Sequence, residues 1–318
     1  MVPIIDSLGQ VKGYGWGAAS QGGTVALFAG GGTTLIDKFI VETTGNSTNF
    51  GSLTVLRSPA GNISSSTRAV FGGGEGNGGG DFNTMDYVTM ATAGNAIFFG
   101  STGNQGEAAG CSNSVRGLFS GGRRSDPYVD RYTVINYITI ATTGNVTYFG
   151  ESSSGRRYGS GFASTTRGVF SGGYVNGADA LSVIDYVTIA STGNATSFGN
   201  HITGRRSTGA CSSNTRGIIA GGFNDNSGQN LSSIEYVTIA STGNATSFGN
   251  LITARRWLAG TGSHIRGIFA GGYSTISLSN TEYITLATTG NAASFGDLTL
   301  ARSGLAGSSS LHGGIAAA

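Results

Sequence analysis

Three histidines, His201, His264 and His312, and two cysteines, Cys111 and Cys211, are the only soft metal ligands in 318 residues, apart from three methionines. A copper or zinc centre would need such groups to converge. They do not share a place in the internal repeat described below: the histidines fall at a strand end, in a turn, and in a slot that other copies fill with arginine. The cysteines share one repeat position but sit two copies apart, too far for a disulfide, and read as small buried apolar residues. No carboxylate pair and no Ser/His/Asp set breaks the repeat symmetry, so no enzyme, metal or cofactor is expected.

Arginine chemistry is more prominent. Sixteen arginines stand against two lysines, and thirteen of the arginines recur at fixed repeat positions. One set, Arg57, Arg156-Arg157, Arg205-Arg206, Arg255-Arg256 and Arg302, lies near one acidic position per copy. Those positions are Asp37, Asp86, Asp185, Glu235 and Glu282, with Asn136 in the third copy. A planar guanidinium fork suits bridges to carboxylates or carbonyls between neighbouring copies. A second set, Arg68, Arg116, Arg167, Arg216 and Arg266, precedes a different strand and is expected on the opposite rim, tying each copy to the next.

The elements that position these groups repeat. Residues 186–206 and 236–256 match at 19 of 21 positions with an offset of 50. Glycine doublets beginning at Gly30, Gly72, Gly121, Gly172, Gly221 and Gly271 close short apolar runs at spacings of 42, 49, 51, 49 and 50. A period of this size means an array of one supersecondary unit. Residues 257–298 divide into four short strands: a small-residue run, Arg266–Gly272, Thr281–Ala287, and Ala292–Leu298 after a Thr-Gly-Asn turn. The doublets and the Gly-Asn turns are the places where positive φ is expected. Phenylalanines on the second and fourth strands and tyrosines on the third predict packing between units.

Four antiparallel strands per unit predict an all-β, single-domain β-propeller over residues 1–318. The units span about 13–53, 58–101, 107–151, 158–200, 207–250 and 257–298. Residues 303–318 repeat the first two strands once more, so a seventh, hybrid blade completed by residues 1–12 is expected; a six-bladed ring is the alternative.

The order of apolar run, Gly-Gly, loop, acidic-Tyr strand, turn and aromatic strand resembles the kelch repeat over nearly the whole chain, with Phe198 and Phe248 standing where that family has tryptophan. The phrase Tyr-Val-Thr-Ile-Ala-Ser-Thr-Gly-Asn is similar to propeller repeats in virion proteins of tailed bacteriophages. The resemblance implies a non-enzymatic structural or interaction module of a virion, as a tail, fibre or head-decoration protein. The alternative is a glycan-binding propeller that recognises a host receptor.

Binding is expected where copies differ on a constant scaffold. The loops after the glycine doublets differ most, which selects Glu75, Asp81, Arg123, Arg124, Tyr128, Tyr174, Asp179, Phe223, Asp225 and Tyr273. Partners expected there are other virion proteins or a host surface glycan, with a homo-oligomer as a further form. A net charge of +2 and 11% charged residues argue against nucleic acid. No apolar run is long enough for a signal peptide or a membrane span, so assembly in the host cytoplasm is expected.

Overall fold

The computed structural model describes residues 4–5, 11–12, 23–76, 83–103, 105–125, 128–129, 132–175 and 179–316. Every regular element among them is a strand. Four sheets have four antiparallel strands in chain order, as in Ser160–Ala163, Arg167–Ser171, Val183–Thr188 and Thr196–Asn200. A fifth sheet has seven strands, and its middle strand, Thr48–Ser64, serves two units. The half up to Arg57 pairs with Thr33–Ile40 as a fourth strand; the half from Ser58 pairs with Arg68–Glu75 as a first strand.

The break that separates units elsewhere is a residue with left-handed backbone, and at the matching place here stands Pro59. A proline ring holds φ near −65°, so the chain runs straight through and fuses two units into one sheet.

The units close into a ring, a β-propeller. Their first strands lie side by side around a central channel, and the last neighbours the first. Each fourth strand carries a glycine, Gly51, Gly100, Gly150, Gly199, Gly249 or Gly296, against the backbone of the next unit's turn; an added Cβ would lie 2.0–2.1 Å from a carbonyl oxygen. The turn glycine answers with its N–H, from Gly94 to Phe50 at 2.8 Å through to Gly45 back to Phe295 at 2.7 Å. The neighbouring asparagine accepts from the same strand, as Asn95 does from Ser52 and Asn46 from Asp297. These bonds explain the constant Gly-Asn. The expected positive φ holds for the doublets, as at Gly172 (61°) and Gly173 (109°), except that in the second unit it falls on Gly73 and Gly74 and not on Gly72, and none of the turn asparagines adopts it.

Six apolar clusters fill the seams. Phe170 packs with Leu118 and Ile135 of the preceding unit, and Phe71 with Leu27 and Ile36. The fourth-strand phenylalanines meet the third-strand tyrosines edge to face, Tyr186 and Phe198 at 5.9 Å. The aromatic positions are therefore the packing residues of the ring.

The expected seventh blade does not form among the described residues. Leu305–Ser309 pairs with Val25–Gly30 and becomes the innermost strand of the first unit, while Ile4–Ile5 pairs with Val11–Lys12. The first unit needs one small-residue strand at the crowded channel, and the C-terminal Leu-Ala-Gly-Ser-Ser provides it. Of the further strand expected over residues 312–317, the described part, 312–316, is turn and irregular backbone.

Candidate functional site

The first arginine set divides: Arg57, Arg302 and the first member of each doublet lie inside the protein, and the second members, Arg157, Arg206 and Arg256, stand on the rim. Arg57, Arg156, Arg205 and Arg255 are among its largest fully buried side chains. Each pairs with a buried carboxylate: Arg57 with Asp86 at 3.0 Å, Arg302 with Asp37 at 2.8 Å, Arg156 with Asp185, Arg205 with Glu235 and Arg255 with Glu282. The same guanidinium groups donate to carbonyls, as Arg255 does to Gly271 and Asn280. Burial pulls these arginines below their usual range, Arg255 to about 10. In the third unit both charges vanish together. Gln105 replaces the arginine and donates to the Gly121 and Val134 carbonyls, and its own carbonyl accepts from Asn136. The second set also bridges units: Arg116 donates to Ile189 and Ala190, while its guanidinium lies 4.7 Å from the Tyr137 ring centroid.

The histidines are spread out. His201 is buried and its Nδ1–H donates to Glu235 at 2.8 Å. His264 and His312 lie at the opposite end of the channel. There the His312 ring bonds to the Ser64 carbonyl at 3.1 Å and to Ser112 at 3.2 Å, and His264 donates to the His312 carbonyl at 3.0 Å. Gly313 donates to Ser212, and an added Cβ on Gly314 would lie 1.9 Å from the Ser112 carbonyl. The C-terminal turn thus crosses the channel and closes that mouth. Cys111 and Cys211 are free and buried in different seams, their thiols pushed up by desolvation. Among the described residues no three His, Cys, Asp or Glu side chains group together.

Burial pushes His312 down to about 4. Unfolded, it takes a proton near pH 6.5, so between about 6.5 and 4 the unfolded chain binds the extra proton and stability falls as pH falls. Glu107, raised by burial to about 7, acts in the opposite sense. Thermal melts of the wild type and His312→Gln should therefore differ in their pH slope over that window, the wild type losing more. Parallel slopes would refute the assignment.

The other mouth opens into a cavity of about 320 Å³. The links between units build it. At one position per link the chain takes a left-handed turn: Glu107 (φ 56°), Tyr158 (58°), Ser207 (59°), Trp257 (54°) and Gly304 (73°). Such a backbone costs a non-glycine residue roughly 1 kcal/mol. What holds it is a chain of backbone bonds around the channel, from Tyr158 to Glu107, Ser207 to Tyr158, Trp257 to Ser207 and Gly304 to Trp257, at 2.8–3.1 Å. The geometry repeats while the side chain changes in every unit, and all of these residues line the cavity, with Pro59 in the remaining place.

Charge at the cavity is carboxylate. Glu107 is 9% exposed, accepts from the Tyr158 hydroxyl at 2.7 Å and lies 3.6 Å from Arg157. Desolvation raises it to about 7, against the pull of Tyr158, Arg123 and Arg157. Glu75 lies 3.7 Å from Arg123.

Around the rim, cations and aromatic rings alternate. Arg157 stacks on Tyr158 and Tyr174, Arg206 on Tyr174 and Phe223, and Arg256 on Phe223, Trp257 and Tyr273, at 4.5–5.3 Å from the ring centroids. Short bridges pair Arg157 with Tyr174, Arg206 with Phe223 and Arg256 with Tyr273.

Of the residues selected from sequence, Glu75 lines the cavity and Arg123, Tyr174, Phe223 and Tyr273 stand around its mouth. Asp225 sits further out, held by the Arg206 fork at 2.8–3.2 Å, and Asp179 is exposed. Arg124 and Tyr128 belong to paired two-residue strands, and Asp81 lies outside the described residues. Sequence reasoning missed Glu107, Tyr158, Ser207 and Trp257. The available signal was the second position after the buried arginine, or after Gln105 in the third copy, which differs in every copy. No family model matches this chain, and no curated protein does. No helix among the described residues is long and apolar enough to cross a membrane.

Proposed function

We propose that this protein is a non-enzymatic recognition module that seats a saccharide unit in the channel mouth and grips its surroundings with the variable rim. One observation carries this reading: five links of shared geometry, with Pro59 in the sixth place, bring a different residue each to one blind cavity. A constant frame with a varied lining is how a binding site is tuned without disturbing the fold. Trp257 and Tyr158 offer faces for the apolar side of a pyranose, and Ser58, Thr208 and Ser303 offer hydroxyl partners. The kelch-like residue order and the virion-like repeat phrase support a setting in a bacteriophage tail, fibre or head decoration, with a host surface glycan as the partner.

Glycan-array screening of the purified chain, followed by calorimetry on the hits, tests this. Trp257→Ala should weaken binding about tenfold or more while lowering the melting temperature only by the few degrees that the lost stacking with Arg256 and Tyr273 accounts for. Replacing residues 223–232 by a short Gly-Asn turn should weaken it as well. Binding that survives both changes intact would overturn the assignment to this mouth.

A further inference from the structure

The charge of the ligand follows from the lining of the cavity, given the binding role proposed above. We infer that the group seated there carries an ammonium, as the protonated amine of an amino sugar or an alkylammonium does. Among the described residues, the charged side chains lining the cavity are Glu75 and Glu107. The rim guanidinium groups of Arg157, Arg206 and Arg256 are stacked between aromatic rings, and none of them lines it. In ring order Glu107 belongs to the third unit and Trp257 to the sixth, so they face each other across the channel.

Carboxylates on one wall and an indole on the other suit a ligand with an ammonium at one end. Its N–H groups donate charge-assisted bonds to the carboxylates, and its apolar part packs on the indole. An anionic ligand would instead meet Glu75 and, above about pH 7, an ionised Glu107 as well. Glu75 is accessible, its side chain 36% exposed, and its 3.7 Å contact with Arg123 is too long for a hydrogen bond. Glu107 responds to the same ligand through its charge. The groups acting on it are Tyr158, Arg123, Arg157 and Glu75, and burial leaves it near neutrality at about 7. A neighbouring cation favours its ionised form, so binding should strengthen as pH rises through that value.

Calorimetry on the full chain with two matched pairs tests this: methyl 6-amino-6-deoxyglucoside against methyl glucoside, and choline against 3,3-dimethylbutan-1-ol. The cationic member of a pair should bind about tenfold tighter or better. Glu75→Gln, a partly exposed change, and Glu107→Gln should each remove most of that preference. Choline, whose charge is permanent, should bind several-fold tighter at about pH 8 than at about pH 6, and Glu107→Gln should abolish the difference. A neutral glucoside that binds as well as its amine overturns the charge inference and leaves the saccharide reading standing. Choline binding without either glucoside overturns the saccharide reading alone. No binding in either pair overturns both.

Discussion

Truncation after Ser303 should cost the protein on the order of 5 kcal/mol or more and lower its melting temperature by roughly 10 °C or more. The missing strand, Leu305–Ser309, forms five register pairs with Val25–Gly30. It also locks to the inner strand on either side of it, where the Ser64 hydroxyl donates to the Ser309 carbonyl at 2.8 Å and the Ser309 hydroxyl donates to Gly262 at 2.5 Å. Without it, the first unit presents an unpaired inner edge to the channel, and the seam between the sixth and first units loses Leu305. Differential scanning calorimetry provides the measurement, and a peptide of residues 303–316 added in trans should restore part of the loss. Deleting residues 2–10 leaves the pairing of Leu305–Ser309 untouched and should shift the melt far less. A C-terminal truncation that melts like the full chain would mean that the ring closes otherwise.

Arg255→Met is expected to destabilise by about 3–5 kcal/mol, because it leaves the Glu282 carboxylate buried without its cation. The protein holds its own control. In the third unit Gln105 and Asn136 fill the same places without charge, and the ring still closes there. The double variant Arg255→Gln/Glu282→Asn should therefore recover most of the loss suffered by the single change. Urea titrations of the four members of the cycle would show a coupling of a few kcal/mol between the two sites. A single variant that costs less than about 1 kcal/mol would mean that water or rearrangement relieves the buried charge. The two positions changing together in one unit is what the energetics require: removing either charge alone is costly, and removing both is not.

The repeat period, the strand order within a unit, the seam-packing phenylalanines and the Arg–carboxylate pairing were all legible in the sequence. Each depends on local periodicity or on residue types recurring at fixed spacing, and both survive folding unchanged. Phe71, Phe119 and Phe170 occupy seams because a residue that repeats on the same strand meets the same neighbour in every copy. Closure was decided only in three dimensions. Residues 305–309 and 25–30 are about 280 positions apart, and nothing local says which small-residue segment fills the last place at the channel. The same holds for the cavity at the channel mouth. The left-handed turns at Glu107, Tyr158, Ser207 and Trp257 are imposed by backbone bonds between units, against the intrinsic preference of those residues. Their side chains converge because the ring brings together links that lie about 50 residues apart along the chain, and a ring exists only once its two ends have met.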